Sequence, residues 1–162
     1  MLTLPTIVKR QKQAYAAIRQ DVKIPFQSAI SKALPKVEKW LAKRGEEHGP
    51  MLIKYDLIKM PELTVEMGFV LDGPIKGDET VAAEVLPAGK YATLTYWGHY
   101  KNLRSVTGIL INWARDNDIA WDAEETRAGE SFVSRFELYP NGPQDEPDPD
   151  KWETQIFIKV KN

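Results

Sequence analysis

The sequence predicts an α+β fold. Two copies of a β-α-β-β unit form a pseudo-two-fold antiparallel sheet with two long helices and a central groove. Three observations predict it. Residues 15–71 and 91–160 repeat one order of patterns: strand, long helix, strand, strand. Tyr15-Ala16-Ala17 opens the first copy and Tyr91-Ala92-Thr93 the second, and each helix carries a tryptophan near its C-terminal end, Trp40 and Trp113. A Tyr55-Asp56-Leu57 step in the first copy answers Phe136-Glu137-Leu138 in the second. The duplication places one unit at 1–162, its halves at about 13–73 and 79–161. The seam between two similar lobes is a natural place for a ligand.

Residues 1–12 read as a leader that joins the first strand. Ala14, Ala16, Ile18 and Val22 alternate along a strand from Gln13 to Ile24, which Pro25 ends. Phe26, Ile30, Leu34, Val37 and Leu41 then recur at helical spacing to Lys43. Pro35 removes one hydrogen bond inside this pattern, so a kink or a break into two helices is expected. Gly45 stops the helix. Met51–Lys59 and Leu63–Asp72 are strands, and Thr80–Leu86 is another. After the turn Pro87-Ala88-Gly89, residues Lys90 to Trp97 are rich in β formers. His99–Asp118 is the second helix, with Leu103, Val106, Leu110, Ile111 and Trp113 facing the core. Ser131–Tyr139 and Thr154–Val160 are the last strands, separated by an acidic, proline-rich loop. That loop lacks the spacing and central glycine of an EF-hand and reads as solvated.

Composition narrows the chemistry. Twenty-two basic and 23 acidic side chains nearly cancel, without the basic excess of a nucleic-acid surface. The absence of cysteine rules out disulfides, thiolate nucleophiles and zinc ribbons. Two histidines cannot build a three-histidine metal site. No phosphate-binding loop, dinucleotide fingerprint, nucleophile elbow or helix-turn-helix stands in the sequence. Neither a secretory leader nor an 18-residue apolar run is present, so the expected location is the cytoplasm, away from membranes and nucleic acid. No metal or cofactor is called for.

What remains is carboxylates and aromatics on strands. Alternation predicts that Phe132, Phe136 and Leu138 pack under a helix, which turns Arg135, Glu137 and Tyr139 to the opposite face. By the same rule Ile156, Ile158 and Val160 face the helix while Gln155 and Phe157 face away. Thr93, Thr95 and Trp97 also point away, and Leu63, Val65, Met67 and Phe69 turn Glu66 to the free face. One face is thus expected to gather Glu66, Glu137, Tyr139, Thr93, Thr95 and Trp97, with Tyr100 capping it and Trp152 readable as wall or core. Carboxylate with aromatic walls suits an amphipathic cation, and a desolvated glutamate suits general acid–base work. The same residues also fit an exposed sheet face on which Glu137 pairs with Arg135 or a lysine.

The order Leu86-Pro87-Ala88-Gly89-Lys90-Tyr91-Ala92, then Gly98-His99-Tyr100 with Leu103, then Trp113, Glu137-Leu138-Tyr139 and Trp152-Glu153-Thr154-Gln155-Ile156 resembles the GyrI-like small-molecule-binding domains. Gln13 to Arg19 and Glu66-Met67-Gly68 extend the resemblance over nearly the whole chain. It implies paired β-α-β-β units with a ligand in the central groove. The family includes effector domains of multidrug-responsive activators, a DNA gyrase inhibitor and stand-alone proteins, some of which hydrolyse the cyclopropane ring of DNA-alkylating natural products. With no room left for a DNA-binding module, the stand-alone form is expected. The resemblance makes Glu137 the central glutamate that receives cationic drugs and carries over Trp97, Tyr139 and Glu66 beside it. Trp97, Thr95, Tyr100, Trp152 and Phe157 are the expected ligand contacts around that glutamate. In a hydrolase, Glu137, Glu66 and Tyr139 would supply the proton and hold the water. The expected partner is an amphipathic aromatic or cationic small molecule. Gyrase follows from one branch of the family, and no particular residue supports it. The family often ends in Thr-Glu-Ile where this chain has Thr154-Gln155-Ile156, one groove charge fewer.

Overall fold

The two sequence units share one antiparallel sheet of ten strands, seen in a computed structural model that describes residues 1–162. The strands are β1 (Thr6–Arg10), β2 (Gln13–Lys23), β3 (Met51–Lys59), β4 (Glu62–Val70), β5 (Ala82–Leu86), β6 (Gly89–Trp97), β7 (Ala123–Thr126), β8 (Gly129–Phe132), β9 (Arg135–Tyr139) and β10 (Glu153–Lys159). The helices are α1 (Gln27–Lys43) and α2 (Leu103–Asp116). Neither is long and apolar enough to cross a membrane.

The strand order β1-β6-β10-β9-β3-β4-β2-β5 carries the pseudo-symmetry. Outward from the β9–β3 seam, each unit presents the strand after its helix, then its last strand, then its first. The outermost strands are exchanged. β1 precedes the first unit but pairs with β6 of the second, and β5 precedes the second but pairs with β2 of the first. The leader therefore joins the second unit's first strand rather than its own.

Both helices lie on one face. α1 buries Ala33, Val37, Trp40 and Leu41 against β2 and β4. α2 buries Val106, Leu110 and Ala114, two of them against Ala92, Leu94, Ile156 and Ile158. α1 runs through Pro35 without a break. The carbonyl that loses its partner belongs to exposed Ser31, where solvent can satisfy it, while the opposite stripe holds the helix to the sheet. The second helix starts later than its pattern suggests. His99 accepts from the Lys101 N–H at 3.0 Å, and a 3-10 turn over Tyr100–Asn102 precedes α2.

The other face curls inward as a half-barrel. Its inside is filled by Tyr15, Leu52, Tyr91, Phe136, Leu138 and Phe157. Phe136 and Leu138 are therefore not under a helix. The run from Ser131 to Tyr139 is two strands, broken by a bend at Val133 and Ser134. The bend shifts the alternation, so Phe132 stays under α2 while Phe136 pairs with Phe157 inside the curl. The β7–β8 hairpin, for which alternation gave no signal, adds to β3. Its Gly129 has φ +133°, and a Cβ there would lie 2.6 Å from the Ile58 carbonyl oxygen.

Candidate functional site

The seam between the units positions Glu137. On β9 it sits opposite Ile53 of β3 on one side and Ile156 of β10 on the other. Ile156 belongs to the core under α2, so Glu137 projects from the helix-bearing face. Tyr55 and Tyr139 each lie two residues past the Ile53–Glu137 pair on their own strands. Both donate to the same oxygen, Oε1 of Glu137, at 2.8 and 2.5 Å. No side chain or backbone group donates to Oε2.

Glu137 is only 7% exposed. Burial pushes its carboxyl up, against the two tyrosine hydrogen bonds and the field of Arg135. Burial and the adjacent carboxylate also push Tyr55 and Tyr139 well above the ordinary phenol range, so both remain donors. No cation pairs with Glu137: Arg135 stands over Phe132 at 4.8 Å and Tyr55 at 6.0 Å, outside ion-pair range of the carboxylate.

Aromatic rings complete this side. Tyr100 meets Tyr139 edge-on at 5.7 Å and stacks on Trp152 at 4.8 Å. Trp152 is held by its indole N–H, which donates to the Glu146 carbonyl at 2.7 Å. Phe26, at the head of α1, meets Tyr55 edge-on at 6.5 Å. A desolvated carboxylate among π faces attracts an organic cation by Coulomb and cation–π terms together.

Glu66 stands elsewhere. On β4 it pairs with Lys54 of β3 and Arg19 of β2, on the inside of the curl. Tyr15 donates to Glu66 Oε1 at 2.8 Å, and Lys54 lies 3.3 Å from Oε2. Lys54 also pairs with Asp56, which accepts from Arg19 at 3.3 Å. A bulge between Tyr55 and Leu57 turns Asp56 into this network. Burial first, then the neighbouring Asp56 carboxylate, push Glu66 up to about 7 against the pull of Lys54.

The expected single-face site thus divides in two. Glu137, Tyr139, Tyr100 and Trp152 come together on the helix side. Glu66, Thr93, Thr95, Trp97 and Phe157 lie on the other face, where Thr93 pairs with Phe157 and Thr95 with Gln155. Gln155 pairs with Leu138 on that same inner face, so its lack of charge takes nothing from the surroundings of Glu137. The exposed-face alternative also fails, since Glu137 is buried and unpaired. Tyr55 and Arg135 were not singled out as site residues. In the sequence the repeat sets Tyr55 against Phe136. The sheet corrects this, because Tyr55 lies two residues past Ile53 on β3 as Tyr139 lies two residues past Glu137 on β9, and the bulge at Asp56 hides that register in the sequence. Two open depressions of about 410 and 430 Å3 lie elsewhere, and neither is lined by Glu137 or Glu66.

The family model of the GyrI-like small molecule binding domain matches residues 4–161. Among solved structures, the EcmrR C-terminal domain superposes with a TM-score of 0.78 at 21% identity, covering 98% of this chain and 97% of that one. EcmrR in its DNA complex gives 0.77 at 21%, over 99% of this chain, which spans 58% of the EcmrR chain. SAV2435 bound to tetraphenylphosphonium gives 0.60 at 12%, covering 99% and 95%. A hydrolase from Listeria innocua gives 0.62 at 10%, covering 98% and 92%. No protein of curated function matches the sequence.

Proposed function

The chain belongs to the GyrI-like small-molecule-binding domain family, and we propose that it binds an amphipathic organic cation on the helix side of the sheet, with Glu137 as the anchor. One observation carries this reading. Glu137 is a buried carboxylate that the chain supplies with neutral donors on one oxygen and with no ion-paired cation, Arg135 acting on it only from beyond ion-pair range. An isolated buried charge is costly, and a bound cation would offset that cost. Tyr139, Tyr55, Tyr100 and Trp152 would supply the aromatic surround. That SAV2435 is bound to tetraphenylphosphonium fits a cation in such a fold.

The test is fluorescence titration with a rhodamine-type cationic dye. Glu137→Gln is expected to lower affinity about a hundredfold, since a charge-assisted contact in a desolvated site is lost. Unchanged affinity would remove Glu137 as the anchor. A hydrolytic reading that sets Glu66 and Glu137 on one substrate receives no support from the geometry, because the two carboxylates face opposite sides of the sheet. A role in resistance to drugs or toxins would rest on capture alone, without turnover.

A further inference from the structure

Thr154 is fully buried, and its Oγ1 is the one buried side-chain polar atom of the protein without a hydrogen-bond partner. Such an atom normally finds a donor or acceptor, because leaving it dry costs free energy. Its position is informative. Thr154 pairs with Tyr96 on β6. On the other side, the register that joins Gln155 to Leu138 and Ile156 to Glu137 sets it beside Tyr139. It shares the face of Glu137, on the diagonal across β9 and β10, where residues lie roughly 7 Å apart. Trp152, two residues earlier on the same face, closes against Tyr100, which meets Tyr139.

Two oxygens without partners therefore lie on the sheet face that carries the aromatic surround: Oε2 of Glu137, an acceptor without a donor, and Oγ1 of Thr154, which can accept or donate. We propose that Thr154 and Glu137 together select cations that carry N–H donors, namely protonated primary or secondary amines and amidinium groups, over quaternary ammonium or phosphonium ions. This rests on the reading of Glu137 as the anchor and adds the chemical class of the ligand. A quaternary ion supplies charge but no hydrogen, so it leaves both oxygens without a donor. An ammonium with two or more N–H groups satisfies both. A site built to hydrogen-bond its ligand rejects analogues that lack the donor more strongly than size alone would allow.

The test uses the full chain and two matched probes, 2-naphthylmethylammonium and its N,N,N-trimethyl analogue. Both are titrated calorimetrically at about pH 8, where the amine is still largely protonated and a carboxylate is favoured. Wild type is expected to prefer the primary ammonium by about tenfold or more, the worth of one to two hydrogen bonds to charged partners. Thr154→Val keeps the shape and removes the hydroxyl. It is expected to reduce the preference to about threefold or less by weakening the primary ammonium alone, and to leave the melting temperature equal or higher, because no intramolecular bond is lost. Equal affinities in wild type, or a preference that survives Thr154→Val, would overturn the inference. The underlying reading fails differently. Either neither probe binds, or both bind and Glu137→Gln weakens neither, and the inference then falls with it.

Discussion

Glu137 and Glu66 are buried to nearly the same degree, 7% and 5% exposed, two strands apart in one sheet. Burial pushes both carboxyls up. Their surroundings differ in charge. Glu66 shares Lys54 with Asp56, and Arg19 reaches the same cluster from the rim. Glu137 has two phenols and no ion pair. The inner cluster carries its own counter-charges, whereas the helix-side carboxylate has no ion-paired cation. Burial alone therefore does not distinguish the two carboxylates; the charge around them does.

Removing the matching cation gives the largest contrast. Lys54→Met leaves Glu66 and Asp56 buried without their shared partner and is expected to cost about 3–5 kcal/mol by urea denaturation. Glu137→Gln removes no such partner and should change stability by less than about 1 kcal/mol. Equal losses would erase the distinction between the two sites. The tyrosines come next. Tyr55→Phe or Tyr139→Phe strips one donor from Oε1 and is expected to cost about 1–3 kcal/mol. Those bonds hold the Glu137 carboxyl down, so their loss raises it further. Dye affinity, which needs the carboxylate, should then be lost at a higher pH than in wild type as pH falls.

A third test concerns pH and the inner cluster. Glu66 is raised from 4.5 to about 7, so the folded state keeps a proton that the unfolded chain has released. The stability this provides is complete below the unfolded value and is lost as pH rises through that window. Its contribution has a slope of up to about 1.4 kcal/mol per pH unit. Glu66→Gln should remove that decline from a denaturation series, and an unchanged slope would show that Glu66 does not titrate there. The smallest effect is expected from Gln155→Glu. It adds a carboxylate beside Glu153 on the face away from Glu137 and should alter dye affinity by no more than about twofold. A larger change would mean that the sheet does not insulate the two sides.

The repeat was legible because each unit buries its own amphipathic elements, and that burial writes periods into the residues. β3 was placed at its observed bounds, and the helical spacing of Val37 and Leu41 survived Pro35 because the proline lies on the solvent side. Part of the expected grouping was legible by residue type: Glu137, Tyr139, Tyr100 and Trp152 meet as an acidic and aromatic group. Its facing was not. A bend at Val133 and Ser134 and a bulge at Asp56 each shift a strand's alternation by a step, and neither leaves a mark in hydrophobic pattern alone.

The sequence by itself determined the α+β class, the duplication, the family and the presence of a carboxylate among aromatics, since these depend on residue type and period. Only the tertiary structure decided which carboxylate is matched by a lysine, which oxygens stay free, and that β1 and β5 cross to the opposite unit. Those outcomes depend on register between strands far apart in the chain. A single step of register exchanges the two faces of a sheet, and no local pattern fixes it.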